Sequence, residues 1–146
     1  MSGRHEPFSA VLDSSAMVAW FDPADEDQVD ETRRILDGVA RGEVMLDVLE
    51  LALYEIGSVL ELRRLPPSEI ADDLDLIEEL CGAPIVFVPW LRRDTAELAR
   101  PNRLTFYDAA HLAVARALGV PLVTLDRALL AAGAITPAQF AGRLPA

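Results

Sequence analysis

Four acidic side chains in this sequence stand where solubility alone would not call for them. Asp13 and Asp126 each follow directly on a short apolar run, Phe8-Ser-Ala-Val-Leu12 and Val120-Pro-Leu-Val-Thr-Leu125. Such runs predict buried strands, and ligands of an open parallel sheet collect outside the carboxyl ends of its strands. If the two strands are neighbours, both carboxylates reach one crevice, although Asp at a strand-to-helix turn is also an ordinary N-cap. Glu55 sits inside a mostly apolar helical stretch, where its neighbours Leu51, Ala52, Ser58 and Val59 offer no ion pair. It must face water or meet a cationic group. Asp108 follows Thr105 by three residues, the spacing of a capping box, at the positive end of a helix dipole.

Carboxylates brought together repel one another and raise each other's pKa unless a cation neutralises them. Hard oxygen donors of this kind suit Mg²⁺ or Mn²⁺, which keep several waters. Such a site can activate water and stabilise charge on a transferring phosphoryl group. Other centres fit less well. His5 and His111 lack metal-ligand spacing, and His111 reads as a structural residue of its helix. There is no Gly-rich phosphate loop and no lysine. An enzyme that phosphorylates its first Asp would want a second acid two residues on, where this chain has Ser15.

The 146 residues suffice for one domain with a real core, and 51% hydrophobic content with a mean hydropathy of +0.22 excludes a disordered chain. No apolar run approaches a membrane span, and no secretory signal is evident. The single Cys81 cannot form an internal disulfide and reads as a small core residue, so a reducing cytoplasm is expected. The net charge is −11 and all thirteen basic residues are Arg. A protein of this charge that acts on nucleic acid must hold phosphate with metal and local arginines, which the pairs at 33/34, 63/64 and 92/93 could supply.

The elements that must position the acids follow from punctuation and periodicity. A strand over 8–12 leads to a helix capped by Ser14 or Ser15 and running past Trp20. The stretch Asp22 to Glu31, six acids in ten residues, reads as a polar loop opening a helix that ends near Gly42. A strand is expected over 43–48, and a helix over 49–64 with Leu49, Leu53, Ile56 and Leu60 on one face. Pro66 and Pro67 stop it, and Ser68 is expected to cap the next helix, with Ile70, Leu74 and Ile77 inward. Another strand is expected over 83–88, then a helix over 91–100. Thr105 caps a helix closed by Gly119, and 120–125 reads as a central parallel strand. No repeat or linker divides the chain, so residues 1–146 form a single domain with a mainly parallel sheet covered on both faces.

With those residues in place, the sequence resembles the PIN-domain family, and within it the VapC toxins of type II toxin–antitoxin pairs. The likeness runs almost end to end: Val11-Leu-Asp13-Ser-Ser15-Ala-Met-Val-Ala19, Leu51-Ala-Leu-Tyr-Glu55-Ile-Gly-Ser58-Val-Leu60, Leu104-Thr-Phe-Tyr-Asp108-Ala-Ala-His-Leu-Ala-Val-Ala115, and Gly119-Val-Pro-Leu-Val-Thr124-Leu-Asp126-Arg127. One departure is Ser58, where many relatives carry Asn. The resemblance implies a three-layer α/β/α sandwich and a metal-dependent endoribonuclease. Asp13, Glu55, Asp108 and Asp126 would bind Mg²⁺ or Mn²⁺, with the hydroxyls of Ser15 and Thr124 beside them. It also implies an RNA substrate, a small cognate antitoxin and a homodimer, with the apolar helices after Glu43 and Pro67 as interface elements.

Three alternatives stay open at this point: a PIN nuclease of RNA processing rather than a toxin, a non-catalytic module that keeps the fold, and a regulatory domain phosphorylated on Asp13. Glu50 is the alternative to Glu55 in the metal shell.

Overall fold

A computed structural model describes residues 6–146; Arg4 and His5 lie outside the described residues. Three parallel strands, β1 (Phe8–Leu12), β2 (Val44–Asp47) and β3 (Leu122–Val123), pair in the order β2-β1-β3. The central strand is therefore β1, not the 120–125 run, of which only two residues pair as a strand. The sheet is extended at its margins by two parallel bridges, Leu49 with Ile85 and Val123 with Ile135. The run expected as a strand over 83–88 contributes only that bridge. Pro84 lacks a backbone donor and Pro89 already opens a helix, which leaves too little chain for a ladder.

Alternation along β1 sorts the core into two layers. Ala10 and Leu12 join Met17, Ile35, Ile56, Leu60, Ile77 and Phe140 on one face. Val11 joins Leu91, Leu112, Val114, Leu122 and Leu129 on the other. The first layer is covered by α1 (Val18–Phe21), α2 (Val29–Ala40), α3 (Glu50–Leu62), α4 (Pro67–Cys81) and α8 (Pro137–Ala141). The second is covered by α5 (Pro89–Ala99), α6 (Phe106–Leu118) and α7 (Arg127–Ala131). This is the expected α/β/α sandwich, produced by the two-residue period of a strand buried on both faces.

Local chemistry sets the helix ends. Asp13, rather than Ser14 or Ser15, caps a short 3-10 turn over Ser14–Ala16 that precedes α1. Pro66 and Pro67 open α4 without a side-chain cap, so Ser68 lies inside the helix. Gly119 closes α6 in the left-handed region, where its missing Cβ removes the penalty. The acidic loop before α2 is held by Arg63, which pairs with Asp22 at 3.1 Å and with Glu26. Cys81 lies half-buried beside Asp47, and burial pushes its thiol up to about 12, so it is a packing residue rather than a nucleophile.

Two glycines test the packing of the helices on the sheet. A Cβ at Gly38 would stand 2.7 Å from the buried Val44 Cγ2, whereas one at Gly57 would meet Leu74 Cδ1 at an ordinary 3.7 Å. Removing helical glycine gains about 1 kcal/mol, while overpacking costs about 1–3 kcal/mol. Gly38→Ala is therefore expected to lower the melting temperature by ~3 °C and Gly57→Ala to raise it by a similar amount in calorimetry.

Candidate metal centre

The carboxyl ends of β1 and β3 place Asp13 and Thr124 side by side. Asp13 is 4% exposed, yet both of its oxygens have donors. Oδ1 accepts from Ser15 Oγ at 2.7 Å and from the Ala16 N–H at 3.3 Å, and Oδ2 accepts from Thr124 Oγ1 at 2.6 Å. The same hydroxyls accept from the chain that follows β3: the Leu125 N–H donates to Ser15 Oγ and the Asp126 N–H to Thr124 Oγ1, each at 2.9 Å. Each hydroxyl thus takes a backbone proton on one side and gives its own to Asp13 on the other. Burial still dominates and pushes the Asp13 carboxyl above its usual range, against the lowering effect of these donors and of His111.

Asp126 is half-buried and caps α7, its Oδ1 accepting from the Leu129 N–H at 3.0 Å. Asp108 enters from the first turn of α6, whose N-cap Thr105 accepts the Asp108 N–H at 3.1 Å. Its carboxyl is also raised, by burial first and then by the charges of Asp126 and Asp13. Three acids from three separated segments therefore lie within one another's field.

Glu55 meets a partner that no helical spacing could reveal. Its Oε1 stands 2.8 Å from Nε2 of His111, which is 1% exposed and belongs to α6. The expectation that Glu55 faces water or a cationic group resolves into an imidazole contact, and His111 is structural in that it ties α3 to α6. The two residues are 56 positions apart, so only the requirement that a lone acid in an apolar helix find a partner pointed to the pair. His111 Nδ1 is buried without a partner. Ser58 is exposed on α3, and Glu50 rims an apolar cleft.

Among the described residues, no three acid, imidazole or thiol groups already stand in the spacing of a closed metal cage. The donor chemistry nevertheless fits a hard divalent cation. Mg²⁺ binds through one or two carboxylates and retained water, and the mutual repulsion at Asp108 is what a cation would relieve. Asp13, Asp108 and Asp126 could hold it. Glu55 could join by turning its second oxygen or releasing His111.

Both Asp13 oxygens accept from donors, and an amide can replace only one of them as acceptor, so Asp13→Asn is expected to abolish any rise in melting temperature with Mg²⁺ or Mn²⁺. An undiminished metal response in Asp13→Asn would contradict a cation held at Asp13.

Comparison with known proteins places the chain in a family. The PIN domain family model matches residues 10–134, a span that includes all four acids. The chain is 32% identical over 124 residues to ribonuclease VapC3 of Pyrobaculum aerophilum, covering 82% of this chain and 90% of that one. Among solved structures, PAE2754 of P. aerophilum superposes with a TM-score of 0.65 at 28% identity, covering 93% of this chain and 94% of that one. VapC20 of Mycobacterium tuberculosis, a sarcin–ricin loop cleaving toxin, superposes at 0.66 with 21% identity, covering 86% and 96%, which speaks to the fold. The chain belongs to the PIN domain family.

Proposed function

We propose that this chain is a divalent-metal-dependent endoribonuclease that hydrolyses RNA phosphodiester bonds, the toxin of a toxin–antitoxin pair. The observation that carries the reading is the buried Asp13, held by two hydroxyls at the carboxyl ends of adjacent strands with Asp108 and Asp126 in its field. Asp13, Glu55, Asp108 and Asp126 are the proposed holders of Mg²⁺ or Mn²⁺. A bound cation would supply the charge that draws the acids together and the Lewis acidity that hydrolysis of a phosphodiester needs.

The chain's own residues prepare that site. Ser15 and Thr124 orient Asp13 and favour its ionised form, because both donate to it. Thr124 also fixes the backbone of Asp126, so the position of one acid depends on the hydroxyl that serves another. His111, whose charge acts on Asp13 and Asp108, also contacts Glu55.

The relative named ribonuclease VapC3 supports an RNA substrate, a cognate antitoxin and a cytoplasmic place of action. No helix among the described residues is long and apolar enough to cross a membrane. A homodimer through the outer faces of α3 and α4 fits the exposed Leu62 and Leu76. Light scattering is expected to give twice the chain mass; a monomer would contradict the dimer.

The purified protein is expected to cleave RNA with Mg²⁺ or Mn²⁺ and to lose cleavage in EDTA. Asp108→Asn should reduce the rate by on the order of a hundredfold or more. Cleavage that survives both controls would refute the site, and no cleavage of any RNA pool would favour a non-catalytic module.

A further inference from the structure

Beside the acids lies a feature that the hydrolytic reading leaves unused. A cleft of about 240 Å³ opens between the first turns of α3 and α6. Tyr54 and Tyr107 line it, and they are 72% and 62% exposed. Phe106 and Phe87 form a wall already set edge to face, with ring centroids 5.8 Å apart. The only ionisable group on its rim besides the tyrosines is Glu50, which no cation pairs with among the described residues.

The cleft lies one helical turn from the Glu55–His111 contact. Leu51, one turn before Glu55, lines it, and so does Tyr107, one turn before His111. On an α-helix such pairs share a face, so the cleft floor continues to the Glu55–His111 contact. Tyr54 and Tyr107 also directly precede Glu55 and Asp108 in the chain.

We propose that this cleft receives one unpaired nucleobase next to the scissile phosphate, stacked against the aromatic side chains, with Glu50 accepting from the amino edge of the base. The proposal rests on the ribonuclease reading. A chain of net charge −11 without lysine gains little from phosphate contacts, and base–aromatic stacking supplies affinity that does not depend on a positive field. An apolar cleft with an acidic rim rejects phosphate and admits a flat ring that carries N–H donors. Guanine offers a carboxylate two parallel donors, N1–H and the 2-amino group, whereas uracil presents carbonyls on both sides of its single N–H. Guanine is therefore the preferred occupant and uracil the poorest.

The test is amide and aromatic chemical-shift titration of the wild-type protein in metal-free buffer with GMP, AMP, CMP, UMP and ribose 5-phosphate. The expected result is base-dependent shifts at Tyr54, Phe106 and Tyr107, absent with ribose 5-phosphate. GMP should bind about five- to tenfold more tightly than UMP, a preference that Glu50→Ala levels. Tyr54→Ala and Tyr107→Ala should each weaken GMP by at least about fivefold. Equal shifts with ribose 5-phosphate, or none with any nucleotide, would overturn the proposal. So would shifts at the same residues that follow protein concentration alone, which would give the cleft to a second copy of the chain. RNA cleavage scored on the same protein after Mn²⁺ is added separates the two readings. Base binding without cleavage would refute the nuclease and leave the cleft standing, and cleavage without base binding would do the reverse.

Discussion

The site depends on one buried charge and the hydroxyls that make its burial tolerable. A carboxylate removed from water without donors would be strongly disfavoured, and Asp13 is almost wholly removed. Ser15 comes from the turn after the same strand, and Thr124 comes from the far side of the β1–β3 pair. Both hydroxyls take backbone protons from residues 125 and 126, so the exit of β3 is fixed by the group that solvates the exit of β1. Sheet pairing, the start of α7 and the orientation of the first acid are therefore one hydrogen-bonded unit.

That unit leaves an unresolved charge, which links stability to function. Burial raises the Asp13 carboxyl, and Asp126 and Asp13 together help raise that of Asp108. A fold selected for stability alone would replace such acids with amides or apolar residues. Their presence together, two after strands and one in the first turn of α6, makes sense if a cation completes them.

Much of this was legible in the sequence, and what was not has physical causes. Asp13 and Asp126 could be placed because each terminates an apolar run, and a strand end points where the sheet topology sends it. Asp108 could be placed because Thr105 fixes the first turn of its helix. The pairing of Glu55 with His111 could not, since it is made by the packing of two helices far apart in the chain. Strand order was also out of reach: 120–125 has the composition of a central strand, but the crossovers put β1 in the middle. The run over 83–88 has the β-branched residues of a strand, while the flanking prolines limit its pairing to one bridge. The short helices α7 and α8 carry too few residues for a periodic signal.

The central claim is that acids from separate elements converge on one cation, and anomalous diffraction from crystals soaked in Mn²⁺ tests it most directly. The account predicts a single strong peak at coordination distance from the carboxylates of Asp13 and at least one of Asp108 and Asp126, absent in crystals of Asp13→Asn. No peak at saturating Mn²⁺, or one seated only on the acidic loop between Asp22 and Glu31, would contradict it.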